Sequence, residues 1–93
     1  MQDQRYLLIL KFLSMPKMRV LGGEDLLKIF ANYGFARIDQ RGSHVKIRRI
    51  VSGNKETLTV PMHEEIDKGL LKQILVQASQ YIPESDLRKH FFT

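Results

Sequence analysis

FARIDQ-RGS-HVKIRRIV-SGNK-ETLTV, residues 35–60, is the stretch that decides the fold. In residues 44–51, Val45 and Ile47 point one way while His44, Lys46 and Arg48 point the other, because successive side chains of a strand alternate between faces. Residues 56–60 repeat the pattern, with Leu58 and Val60 on one face and Thr57 and Thr59 on the other. Residues 35–40 read as a first strand in which Ala36 and Ile38 alternate against Arg37 and Asp39. Arg41-Gly42-Ser43 has turn composition, and Ser52-Gly53-Asn54-Lys55 carries hairpin chemistry. Together these segments predict an antiparallel meander with one apolar and one polar face.

Helical spacing begins on either side of the meander. Upstream, Leu26, Leu27, Phe30 and Tyr33 recur at three-to-four spacing, after a Gly22-Gly23 break. Glu24 and Asp25 fall in the first turn, where acids suit the helix dipole, and Gly34 is placed to stop the helix. Downstream, Pro61 ends the last strand and residues 62–67 form a polar loop. Asp67 or a neighbour caps a second helix whose stripe is Leu70, Leu71, Ile74, Leu75 and Ala78. Pro83 suits the first turn of a short last helix over residues 84–91, docked by Leu87 and Phe91. The order predicts an α+β domain (α-β-β-β-α plus a short C-terminal helix): a three-stranded antiparallel sheet with helices packed on one face and the other face open. Double-stranded-RNA-binding domains share this architecture.

Ninety-three residues suffice for one domain and not for two. Residues 1–14 look unlike the rest, with a polar start followed by the apolar YLLILKFL of residues 6–13. They read as an N-terminal extension, either an added element or upstream sequence before a native start at Met15 or Met18, ahead of a single domain over 15–93. The apolar stretch is too short for a membrane span of about 20 residues. Asp3 before it, and the lack of a small-residue cleavage site after it, argue against secretion. With no cysteine, disulfides and thiolate metal sites are excluded and a reducing cytoplasm fits. The net charge of +5 is concentrated between Phe35 and Lys55, where Arg37, Arg41, Lys46, Arg48, Arg49 and Lys55 face a single acid, Asp39. A localised basic field attracts a polyanion better than the same charge spread evenly.

The open face is the one that displays His44, Lys46 and Arg48. An imidazole can accept or return a proton near neutral pH. RNA brings its own nucleophile, the 2′-hydroxyl beside the scissile phosphate, so a nuclease needs only proton transfer and charge neutralisation. Along the strand Lys46 and Arg48 lie about 7 and about 14 Å from His44. Lys46 is thus placed for the reacting phosphate and Arg48 for the flanking backbone. The residues alone leave two other readings open. One is an RNA-binding module in which His44 only stacks or hydrogen-bonds; the other is a protein-interaction domain that docks an acidic partner. His63 and His90 are expected at the surface. The three histidines do not make a metal spacing, so no metal and no cofactor are expected. No GxSxG elbow, phosphate loop, zinc finger or helix-turn-helix pattern is present.

Gly34-Phe35…Gln40-Arg41-Gly42-Ser43-His44-Val45 resembles the signature of HicA toxins. Thr59-Val60-Pro61-Met62-His63, followed by Lys68-Gly69-Leu70-Leu71-Lys72-Gln73-Ile74-Leu75…Gln77-Ala78, resembles that family's second block. Met15-Pro16-Lys17…Gly22-Gly23-Glu24-Asp25-Leu26-Leu27-Lys28 is similar to a common opening. The resemblance implies a double-stranded-RNA-binding-like fold, cleavage of messenger RNA that arrests translation, and neutralisation by a HicB-type antitoxin. It places the family's active histidine at His44, the residue that strand parity sets on the basic face. Lys46, Arg48, Arg41, Arg37 and Ser43 are then the candidate RNA-binding residues, and the antitoxin is expected to cover the open face. Residues 1–14 fall outside the family pattern, and Ser79 stands where the family usually has glycine.

Overall fold

The computed structural model describes residues 4–13 and 17–93. Its elements are α1 (Gln4–Leu13), α2 (Gly23–Ala31), β1 (Ala36–Arg41), β2 (His44–Val51), β3 (Asn54–Pro61), α3 (Lys68–Ala78) and α4 (Glu84–Phe91). The fold is α+β with an open antiparallel sheet in the order β1-β2-β3, consistent with the double-stranded-RNA-binding-like arrangement. The chain divides into two units. Val20–Asp67 holds α2 and the sheet, and the segment up to Arg19 joins Lys68–Thr93. The expected boundary at residues 14–15, with Met15 as a start, lies outside the described residues.

In the first unit α2 starts at Gly22, whose extended backbone N–H donates to the Asp25 carboxylate at 2.8 Å. Leu26, Ile29 and Phe30 are buried, and α2 lies against β3. The expected stripe of Leu26, Leu27, Phe30 and Tyr33 is corrected in part. Ile29 replaces Leu27 and Tyr33, which are only half-buried, because a nine-residue helix buries a narrower arc than its apolar content allows. Gly34 adopts φ +90°, and the next amide, of Phe35, bonds back to the Phe30 carbonyl at 3.2 Å, so the helix ends in a left-handed glycine cap.

Gly22 and Gly23 do more than interrupt the chain. A Cβ at Gly22 would collide with the Glu64 carbonyl, and one at Gly23 would lie 2.5 Å from the Pro61 oxygen. This close approach lets Gly23 N–H donate to the His63 carbonyl and Ile66 N–H to the Leu21 carbonyl, both at 2.9 Å. The end of β3 is thereby strapped to the start of α2.

Two two-residue turns set the sheet register. Ser52 and Gly53 both have positive φ (51° and 81°), the demand of a type I′ hairpin, so β3 begins at Asn54, two residues before the expected start. Gly42, at φ +58°, occupies the first central position between the paired Arg41 and His44. Val45 and Ile47 from β2 and Leu58 and Val60 from β3 are buried on one face, as their alternation predicts. Burying each such side chain contributes roughly 1.5–3 kcal/mol.

β1 departs from its predicted alternation. Arg37 pairs with Ile47 and Asp39 with Lys46, so Ile38 is the extra residue of a β-bulge. All six residues of the strand are exposed, Ile38 at 45% included. Ala36 and Ile38 therefore do not form an inward apolar row.

In the second unit α3 buries Leu71, Ile74, Leu75 and Ala78, and α1 runs beside it. Pro83 sits at the N-cap of α4 rather than inside its first turn, and Leu87 and Phe91 are buried. Residues 17–19 are pinned here. Arg19 N–H donates to the Phe91 carbonyl at 2.8 Å, Thr93 N–H to the Lys17 carbonyl at 3.0 Å, and Met18 bridges Phe92. Tyr6, Leu7 and Ile9 of α1 remain exposed.

Candidate active site

His44 is the first residue of β2, directly after the Gly42-Ser43 turn, and is exposed. It pairs with Arg41 on β1 and with Pro61 on β3. Lys46 pairs with Asp39 and Thr59, and Arg48 with Ala36 and Thr57. Directly opposed residues of an antiparallel ladder share a face. The polar face therefore gathers His44, Lys46 and Arg48 with Arg41 and Asp39 from one side and Thr57 and Thr59 from the other. Asp39, Arg41, His44, Lys46 and Thr59 line a shallow depression of about 100 Å³.

Inside that depression the Asp39 carboxylate accepts the Gln40 N–H at 2.9 Å and lies 3.5 Å from Arg41 Nε. The Arg41 side chain is 91% exposed. Arg48 lies one step outside the depression, where its Nε donates to Thr57 Oγ1 at 2.9 Å. The hydroxyl thereby holds the guanidinium beside Thr57. The Ser43 carbonyl accepts the Met62 N–H at 2.5 Å, fixing the turn that presents His44.

Two members of the basic segment are elsewhere. Arg37 pairs with Ile47, on the opposite face from His44, 3.7 Å from Glu24 of α2 and 3.4 Å from Gln40 Oε1. It is not brought together with the other candidate RNA-binding residues, because the bulge changes facing between it and Asp39. Arg49 is largely buried. Its Nε lies 2.6 Å from Glu56, another nitrogen donates to the Tyr33 carbonyl at 2.9 Å, and its guanidinium stands 4.9 Å from the Phe35 ring centre. Such contacts make it a fastening between the turn after α2 and the sheet.

Sequence reasoning did not single out Asp39 for the site. Simple alternation groups it with Arg37, and a bulge has no composition signal strong enough to correct that grouping. Thr59 was legible from parity alone. His63 is exposed in the loop after β3 and His90 lies half-buried in α4. Among the described residues no three His, Asp or Glu side chains gather as a metal site, and no helix is long and apolar enough to cross a membrane.

No curated protein and no solved structure matches the chain. A family model described as the HicA toxin of bacterial toxin-antitoxin systems does, over residues 23–79. The match runs from the first residue of α2 to just past α3 and contains the whole sheet with the depression around His44. With well over half of its length under that match, the chain belongs to the HicA toxin family of bacterial toxin–antitoxin modules.

Proposed function

We propose that this toxin is an endoribonuclease that cleaves messenger RNA and so arrests translation. The observation that carries the reading is the exposed imidazole of His44 in a depression shared with Lys46 and Arg41. His44 transfers a proton during attack of the RNA 2′-hydroxyl on the adjacent phosphate. Lys46 and Arg41 stabilise the charge that builds on the phosphate oxygens, and Arg48 holds the neighbouring backbone. Ser43 contributes by fixing the turn. The nucleophile is internal to the substrate, so cleavage is expected to persist in EDTA. The reading places the protein in the cytoplasm, where messenger RNA is translated. Its partner is a HicB-type antitoxin whose carboxylates cover the basic face, burying His44 and occupying the cations together. Residues 1–14 are an extension to the toxin domain.

The test compares tightly regulated expression of the wild type and His44→Ala, following growth and total messenger RNA, with cleavage by the purified proteins alongside. Loss of general acid–base catalysis is expected to slow cleavage by about 10²–10⁴-fold and to abolish growth arrest. Equal toxicity from the two proteins removes His44 from the mechanism. Salt-dependent binding of RNA that stays intact identifies a binding module instead.

A further inference from the structure

Four side chains of the depression form a quadrilateral whose corners follow from the ladder. Asp39 stands opposite Lys46, and Arg41 stands opposite His44. Asp39 and Arg41 are two apart on β1, and His44 and Lys46 two apart on β2. One diagonal therefore joins the two cations, and the other joins the carboxylate to the imidazole. All four side chains, with Thr59, line the same depression. Diagonal neighbours across an antiparallel pair stand about 7–8 Å apart, which leaves room for one phosphodiester between them.

This arrangement matches what in-line displacement at phosphorus requires. The attacking and leaving oxygens lie on opposite sides of phosphorus, and the remaining oxygens project across that axis. Groups that move protons belong at the two ends of one diagonal, and groups that neutralise charge belong across it. A carboxylate accepts hydrogen bonds but, when ionised, has no proton to give, whereas an imidazolium donates from either nitrogen. Of the two ends, only His44 can serve as the acid. Asp39 is left as the base.

Resting on the ribonuclease reading above, we infer that the Asp39 carboxylate takes the 2′-hydroxyl proton while the His44 imidazolium protonates the departing 5′ oxygen. The 2′ oxygen bonds to phosphorus and the bond from phosphorus to the 5′ oxygen breaks. The products are a 2′,3′-cyclic phosphate and a 5′-hydroxyl end. Asp39 finishes with the proton and His44 without one, and exchange with water restores both. No oxidant, reductant or co-reactant enters the balance. Gln40 N–H on Asp39 holds the carboxylate in place, a contact that asparagine at position 39 retains through its carbonyl oxygen.

The experiment uses the full chain as wild type, Asp39→Asn and His44→Ala. The substrate is a short RNA spanning a cleavage site mapped with the wild type. It is made with the natural 5′ oxygen, with sulfur in its place at the scissile linkage, and as the uncleavable 2′-deoxy form for binding. Asp39→Asn is expected to slow cleavage of the natural linkage by about 100-fold or more. Its binding of the 2′-deoxy RNA should stay within about threefold of wild type or tighten, since a negative charge near phosphate is removed. A thiolate leaves without protonation, so sulfur is expected to restore cleavage by His44→Ala and not by Asp39→Asn.

Asp39→Asn that cuts as well as wild type overturns the assignment. So does rescue of Asp39→Asn by sulfur, or loss of its binding in step with its cleavage, which marks Asp39 as no more than a brace for Arg41. A wild-type chain that cuts no RNA removes the ribonuclease reading itself. That reading stands if the wild type cuts and Asp39→Asn is equally active.

Discussion

The β2–β3 ladder runs unbroken from the Val51–Asn54 pair to the His44–Pro61 pair, whereas the β1–β2 ladder loses a step at Ile38. On the unbroken side the residues of β2 from His44 to Ile47 alternate between exposed and buried. Val45 and Ile47 are at 0% and 2% exposure, and Lys46 between them is exposed. On the interrupted side Arg37 and Asp39, two apart in sequence, look in opposite directions. A regular ladder separates core from chemistry by parity alone. A bulge re-aims side chains, and here it delivers a carboxylate to a face that is otherwise basic.

The sharpest break in this comparison is expected from two adjacent residues of β2. Ile47→Ala empties a fully packed position and should cost about 2–5 kcal/mol of stability, read as a lower urea midpoint. Lys46→Ala should stay within about 0.5 kcal/mol of wild type in the same titration. It should instead lower RNA cleavage by about tenfold or more, through loss of charge stabilisation at phosphorus. Similar midpoints for the two variants would mean that the faces are not separated as described.

A smaller contrast lies one step further along the strand. Arg49→Ala strands the half-buried Glu56 carboxylate and the Tyr33 carbonyl, so about 1.5–3 kcal/mol should be lost in urea unfolding. Arg48→Ala gives up one hydrogen bond to Thr57, worth about 1 kcal/mol. Its RNA binding should weaken, with the slope against log salt falling by about one. Stability loss in Arg48→Ala equal to that in Arg49→Ala would erase the distinction.

The smallest effects test the bulge. Arg41→Ala removes a cation that lines the depression and is expected to weaken RNA binding about tenfold, with little change in stability. Arg37→Ala, on the other face beside Glu24, should leave RNA affinity within about twofold. Equal losses of affinity in the two variants would show that RNA reaches both faces of β1.

Much of this was legible along the chain. Burial of Val45, Ile47, Leu58 and Val60 follows from period two, and the left-handed stop at Gly34 follows from glycine's tolerance of positive φ. His44 and Lys46 were placed on the polar face by the same count. Other features were hidden. Ser52 adopts a positive φ that few non-glycine residues take, because the strand twist selects a type I′ turn there. Ile29 is buried in place of Leu27 because the short α2 buries a narrower arc than its apolar residues span, and spacing does not say where that arc is centred. Parity sets Arg49 on the face of Val45 and Ile47, but nothing local says that Glu56 and the Phe35 ring will receive its charge there.

The sequence by itself determined the element order, the two faces of β2 and β3, and the membership of His44 and Lys46 in one row, since each depends on repeat spacing along a single element. Only the tertiary structure decided which basic residues share that row's surroundings and that Asp39 joins them. Those outcomes depend on register between strands, and register is set where turns, bulges and packing meet rather than by the alternation of any one strand.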